Sequence, residues 1–385
     1  MSRPRRRHRG IWSLKRGLIP LVGRAAAVVA LLILLAWGVG RVANDRWYWS
    51  QFLWWIPTGL VALVAWSCWT ISIIAERLGS RMAGARARPL VLIGAALATA
   101  WFVASLRPLN LLKERADGPV RIVYWNAAWS TPTDITEVFE PLDADIIILA
   151  NPHPGESTRE VDAWLVDLER RFRLGSPLQS ERSHRARVRK ISVVSRWPVA
   201  LRDEVAIEPP PTAWSRSTLA KLQTGLGYLE INVPTTDEPE ETTPLRVVVV
   251  DLPSDPLLAR RDVIAEAHDM IGDAGWTSPD VVLGDFNTPR GSASLTPLKH
   301  DRSETFAAVG AGFGATWPRP IEQLSIDLAF VGNAWRPTRH RTVDTGVGLH
   351  RALVIDIAAK PGISPVSEEQ PADDADAPLD EPVRP

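Results

Sequence analysis

Hydrophobic patterning divides the chain into two regimes. As far as residue 106 the apolar positions run on without charge over helical lengths, at 25–40 (AAAVVALLILLAWGVG), 52–75 and 90–106. A helix that crosses a bilayer needs about 20 apolar residues. The first run, at sixteen residues, spans only with tilted neighbours or a thin bilayer. Together the three predict a three-span membrane anchor over 25–106 behind a leader at 1–24. A cleaved signal peptide fits less well, because the leader is long, no small-x-small site follows, and two more apolar runs come after it.

From 118 to 360 the pattern changes to short apolar runs separated by turn residues. Eight of them read as strands: VRIVYWN (120–126), DIIILA (145–150), KISVVS (190–195), YLEINV (228–233), RVVVVDL (246–252), DVVLGDF (280–286), IDLAFV (326–331) and ALVIDI (352–357). Helical periodicity appears at 158–172 and 257–275. The mixture predicts an α/β domain with two sheets packed face to face and helices outside. PTTDEPEETTP (234–244) reads as a hairpin loop. The acidic, proline-rich tail at 361–385 has too few apolar residues to bury and reads as disordered.

Charge adds an orientation. The formal net charge is zero, which removes any global argument for steering toward nucleic acid. The leader is basic, with Arg3, Arg5, Arg6, Arg7, Arg9, Lys15, Arg16 and Arg24, and the second connection carries Arg77, Arg81, Arg86 and Arg88. Lys and Arg resist translocation, so both segments are expected on the cytoplasmic side. The chain then reads as a multi-pass protein of the inner, cytoplasmic membrane whose C-terminal domain is extracytoplasmic. Trp47, Trp49, Trp54 and Trp55 read as an interfacial belt. One cysteine, Cys68, excludes an internal disulfide.

The candidate chemistry starts at VVLGDFNTPRGS (281–292), a strand that delivers Asp285 and Asn287 at its tip, a common way to build a metal or phosphate site. In chain order, VRIVYWNAAW, DADIIILANPHP, ISVVSRWPV, RVVVVDLP, VVLGDFNTP, ATWP, SIDLAFVG and GVGLHRALVIDI resemble the blocks of the endonuclease/exonuclease/phosphatase superfamily. The likeness is nearest to bacterial members with three amino-terminal spans. It implies a four-layered α/β sandwich preceded by three transmembrane helices, with Mg²⁺ or Mn²⁺ at the strand ends and a phosphate-containing ligand. Carried over, the pattern implies catalytic roles for Asp285, Asn287 and His350, and metal ligation by Asn126, Asp251 and Asp327.

Four positions depart from that pattern. Asn151 stands where the principal metal-binding Glu is usual, and a neutral amide is a poorer ligand for a hard cation. Asp251 replaces a His, placing negative charge where phosphate is expected. Leu328 replaces the His of an Ile-Asp-His block, and Leu349 replaces the Asp before the closing His350. The resemblance therefore implies a membrane-anchored, metal-dependent phosphoester hydrolase with impaired catalysis. The alternative is an inactive extracytoplasmic binding module. His153 and the basic run ERSHRARVRK (181–190) read as solvated loop positions, with an anionic contact as the other reading. Nucleic acid, phospholipid headgroup and inositol phosphate all remain open as substrates.

Overall fold

The computed structural model describes residues 8–78, 87–113, 118–127, 130, 138–152, 163, 165–170, 185–188, 190–207, 224–234, 242–276, 278–299 and 301–360. The apolar first part forms α1 (His8–Ala43), the short α2 (Tyr48–Trp54), α3 (Thr58–Arg77) and α4 (Arg88–Ser105). Among the described residues three stretches are long and apolar enough to cross a membrane: Leu18–Ala43, Thr58–Arg77 and Arg88–Leu112. The second begins later than the sequence pattern suggested. Pro57, without an N–H to extend a helix, caps α3, and residues 52–54 belong to α2 instead.

That break gives α2 a different job. Trp47 and Trp49, two of the four tryptophans read as an interfacial belt, are exposed and stacked on each other. Trp54 departs from that expectation: it is buried and donates its indole N–H to Ser292 Oγ at 2.9 Å. Its neighbours dock too. Asn44 donates to the Gly291 carbonyl and accepts from Ala293 N. The buried Asp45 carboxylate accepts from Ser294 N and Ser294 Oγ. Gln51 donates to the carbonyls of Pro256 and Leu258 and accepts from Arg260 N.

Among the described residues the remainder holds twelve strands: β1 (Val120–Asn126), β2 (Ile146–Ala150), β3 (Arg185–Val188), β4 (Ile191–Ser195), β5 (Val199–Ala206), β6 (Gly225–Pro234), β7 (Thr242–Asp251), β8 (Val281–Asp285), β9 (Arg302–Glu304), β10 (Asp327–Gly332), β11 (Trp335–Val343) and β12 (Ala352–Ala359). They form two six-stranded sheets, in the orders β11-β12-β1-β2-β4-β3 and β5-β6-β7-β8-β10-β9. The eight strands read from sequence are the interior ones. The four that were missed, β3, β5, β9 and β11, are the four edges. Edge strands are half-solvated and tolerate charge and proline, so RARV and WRPTRHRTV carry no apolar run to detect. Part of the basic run at 181–190 is thus strand, and the rest, apart from Lys190, lies outside the described residues. The polar stretch at 234–244 is also shorter as a loop than expected, since Pro234 pairs with Thr242.

The pleat sends alternate residues to opposite faces, which produces three core layers. Ile122, Ile148, Val247, Val249 and Leu283 meet between the sheets. On the outer face of the second sheet, Val248, Val250, Val282 and Phe330 pack against Val263, Ile264, Ala267 and Ile271 of α5 (Arg260–Asp273). On the other outer face, Val123, Trp125, Ile147 and Val354 pack against Phe139, Leu142, Leu165 and Leu168. The result is a four-layered α/β sandwich. The tail at 361–385, His153 and most of the helix read at 158–172 lie outside the described residues.

One glycine sets the spacing near the strand tips. Gly284 has φ 145°, and a Cβ there would stand 1.9 Å from the Val250 carbonyl oxygen. Gly284→Ala is expected to destabilise the chain by about 3 kcal/mol, from steric and backbone strain together. Gly272→Ala, in α5 with nothing within 4 Å of the added carbon, is expected to stabilise it by about 0.5–1 kcal/mol. Thermal unfolding of the detergent-solubilised chain reads both, and equal midpoints for the two variants would contradict the steric account.

Candidate active site

Sheet register builds the site. β7 and β8 are parallel with Asp251 opposite Asp285, and β8 and β10 are antiparallel with Asp327 opposite Asp285. Three buried aspartates therefore stand side by side at one end of the second sheet. The first sheet faces them with β1 and β2, paired Asn126 to Ala150. Asn126 Nδ2 donates to Asp285 Oδ2 at 2.9 Å across the gap. Asn151, just past β2, donates from Nδ2 to Asn126 Oδ1 at 3.3 Å and to Asp251 Oδ2 at 3.1 Å. Its φ of 53° is left-handed, a conformation that asparagine accepts more readily than most residues.

His350 closes the row. Its Nδ1 lies 2.9 Å from Asp327 Oδ2 and its Nε2 3.9 Å from Asp285 Oδ2. Trp125 fixes the backbone there by donating its indole N–H to the His350 carbonyl at 3.0 Å. Asn287, with φ 46°, donates its backbone N–H to Asp285 Oδ1 at 2.9 Å and its side-chain amide to the Leu252 carbonyl at 2.8 Å. It ties the loop after β8 to the loop after β7. Thr316, from the ATWP block, accepts from the Ile326 and Asp327 amides.

The electrostatics follow from burial and crowding. Burial, with Asp327 alongside, lifts the Asp285 carboxyl to about 7. Burial and Asp285 push Asp251 well above the usual carboxylate range. For His350 burial opposes the charge, but Asp327 and then Asp285 outweigh it and raise the imidazole to about 9. Tyr124, two residues before Asn126 and so on the same face of β1, is held well above its ordinary value by burial and by the three aspartates.

The structure thus brings together Asn126, Asn151, Asp251, Asp285, Asn287, Asp327 and His350. It does not bring Leu328 to the site. The strand alternates at Asp327, and Leu328 points outward into the layer with Phe286 and Phe330, so that departure concerns core packing. Leu349 is exposed beside His350. Two neighbours were not singled out from sequence. Tyr124 gave no signal beyond a strand residue. Lys190 sits in the turn before β4, accepts from Asn151 N through its carbonyl, and feels both burial and the charge of Asp251; it was legible only as one member of a basic run.

The donor set suits a hard divalent cation. Asp285, Asp327 and His350 offer ligand atoms within 4.8 Å of one another. Asp327 Oδ1 and Asn151 Oδ1 are buried oxygens with no protein partner among the described residues. Oxygen-rich donors with surplus negative charge fit such an ion, and its charge would reverse the upward shifts of the carboxyls.

The two sheets thus converge their acidic, amide and imidazole groups at one set of strand ends. The sequence matches the Endonuclease/Exonuclease/phosphatase family over residues 123–349, more than half of the chain, and the chain belongs to that family. Among solved structures it is similar to a family member from Bacteroides thetaiotaomicron, at 10% identity and TM-score 0.42 over 64% of this chain and 100% of that one. It is also similar to the mannosyl-6-phosphatase of that organism, at 11% identity and TM-score 0.40 over 62% and 99%. The human Nocturnin catalytic domain with bound sulfate matches at 14% identity and TM-score 0.41 over 65% and 98%. Likenesses this distant carry nothing about substrate. No curated protein matches the chain.

The shifts fix the sign of a pH dependence. Asp285 holds its proton in the folded chain from 3.8 to about 7 while the unfolded chain loses it, so stability falls as pH rises through that window. His350 contributes stability that is complete below 6.5 and gone above about 9. In the metal-free protein the stability advantage of the wild type over His350→Gln should therefore shrink as pH rises from 6.5 to about 9. Melting curves at fixed ionic strength measure it; an advantage that grows with pH would refute the assignment.

Proposed function

We propose that this chain is a membrane-anchored, divalent-metal-dependent phosphoester hydrolase with its catalytic domain on the extracytoplasmic side. The observation that supports this most is the in-register row Asp251, Asp285, Asp327, faced by two asparagines and closed by an Asp-held imidazolium. Asp251, Asn126 and the free oxygens of Asn151 and Asp327 would hold Mg²⁺ or Mn²⁺. The cation supplies charge for the phosphoryl oxygens. Asp251 thereby contributes the carboxylate that the family pattern places at position 151, and Asn151 positions it by hydrogen bond.

The chain's own groups divide the remaining work. Asp327 orients His350 through Nδ1 and leaves Nε2 facing the gap. There the imidazolium binds an anionic phosphoryl oxygen or gives a proton to the departing oxygen. Asp285 accepts the proton of an attacking water. Asn287 keeps the two loops at a fixed separation, and Tyr124, protonated throughout, adds a donor without charge. The charge pattern supports the orientation, because Arg and Lys crowd the leader and the second connection and resist translocation.

Asp285→Ala is expected to lower metal-dependent turnover of a generic phosphodiester by about 10²–10⁴-fold. Asp251→Asn should remove the rise in melting temperature produced by Mn²⁺. Hydrolysis by the full chain and calorimetric titration of Mn²⁺ test both. A folded chain that binds the cation at Asp251 but cleaves nothing would instead be the binding module, with Leu349 marking the lost acidic group. A chain that neither binds nor cleaves would overturn the proposal.

A further inference from the structure

The membrane anchor is attached to the same end of the sandwich that carries the site. β7 and β8 run toward the site, and the loops that follow them are the ones α2 and its preceding turn grip. Gln51 bonds to the carbonyls on either side of Leu257, and Trp54, Asn44 and Asp45 bond to residues 291–294, seven or fewer positions after Asn287. A second attachment comes from the end of α4. Leu106 accepts from Gly312 N at 2.8 Å, Asn110 donates to the Gly310 carbonyl at 2.7 Å, and the rings of Phe102 and Phe313 lie 6.0 Å apart. The loop from 310 to 326 enters β10 at Asp327, so it too belongs to the site end.

Exposed apolar surface follows the same geography. Among the described residues of 118–360, four large apolar side chains are exposed: Leu257, Phe313, Ile321 and Leu349. All four lie on loops at the site end, and none lies at the opposite end. Two of them adjoin the anchor. Leu257 sits between the two carbonyls held by α2, and Trp47, at the cap of that helix, and Trp49, within it, are exposed. Phe313 abuts the third span. Ile321, at 72% exposure, lies in the loop whose Arg319 N–H donates to the Leu349 carbonyl at 3.0 Å, directly before His350. Soluble domains leave such residues scattered; here they ring one end.

We propose that the site end of the sandwich is seated on the bilayer surface, with Leu257, Phe313, Ile321 and Leu349 in the interfacial region, and that the phosphoester it receives is a membrane lipid headgroup. The substrate half rests on the hydrolase reading above; the seating does not. In the reaction, the oxygen of water bonds to phosphorus, the ester P–O bond of the headgroup breaks, and one proton passes to the departing oxygen. A bilayer surface presents phosphoesters at high local density to a site end seated on it.

The test uses the full-length chain in phospholipid nanodiscs. In a Cys68→Ala background, a dye is placed through Leu257→Cys, Ile321→Cys or Asn333→Cys, the last on the exposed turn between β10 and β11 at the far end, and a headgroup-nitroxide lipid serves as quencher. Loss of emission at 257 and 321, with emission retained at 333, is the expected result. Equal emission at all three overturns the seating whatever the activity. In parallel, Leu257→Glu and Ile321→Glu should lower turnover of vesicle phospholipid by about tenfold and leave a soluble phosphodiester unaffected. A seated protein that cleaves only the soluble diester overturns the lipid substrate and keeps the hydrolase. A seated protein that cleaves neither overturns the hydrolase and keeps the surface.

Discussion

Like charges directly opposite one another in a sheet repel, and this protein places three carboxylates in one such row with almost no water to screen them. Everything near the row offsets that repulsion. Asn126 and Asn151 donate amide hydrogens into it, Asn287 donates a backbone N–H, and His350 brings a positive charge held by Asp327. The offset is incomplete, because Asp251 and Asp285 still titrate far above ordinary carboxylates. A fold that keeps such a row gains stability from any cation that binds it, since ligand that binds only the folded state shifts the folding equilibrium.

The same row explains which sequence departures matter. Replacing a carboxylate at 151 by an amide would weaken an oxygen cage if nothing else changed. Asp251 stands across the gap and accepts a hydrogen bond from that amide, so a carboxylate lies next to position 151 on the facing sheet. Leu328 carries no such consequence, because a residue one step along a strand faces the other side of the sheet. Leu349 is exposed next to His350 in the chain and places no charged group there.

Legibility followed burial. Interior strands such as 120–126 and 281–285 are apolar on both faces and announce themselves as β-branched runs. The edges do not, since half their surface is wet. The three aspartates were legible because Asp251 and Asp285 end recognisable strands and Asp327 opens one. Their register was not, because pairing between β7, β8 and β10 depends on residues distant in sequence. Tyr124 and Lys190 were invisible for the same reason: one looks like core and the other like a loop cation until the sheets close. The anchor misled at one point, where tryptophans and an apolar run suggested a longer second span. Pro57 interrupts the run, and Trp54, three residues before it, serves a protein contact.

That contact changes what kind of anchor this is. A tether joined at one point leaves a domain free to pivot, whereas attachments at 44–54 and again at 106–113 grip two separate loops and remove the pivot. The first is also polar and buried, with Asp45, Gln51 and Trp54 each fully bonded to the domain. Separating it would strand a carboxylate, an amide and an indole away from their partners, at a cost of about 1–3 kcal/mol for each buried group left unpaired. The loops so gripped are those that follow Asp251 and Asp285. The contact between the apolar helices and the domain therefore bears on the loops next to those two carboxylates, whose own separation is set by the pairing of β7 with β8.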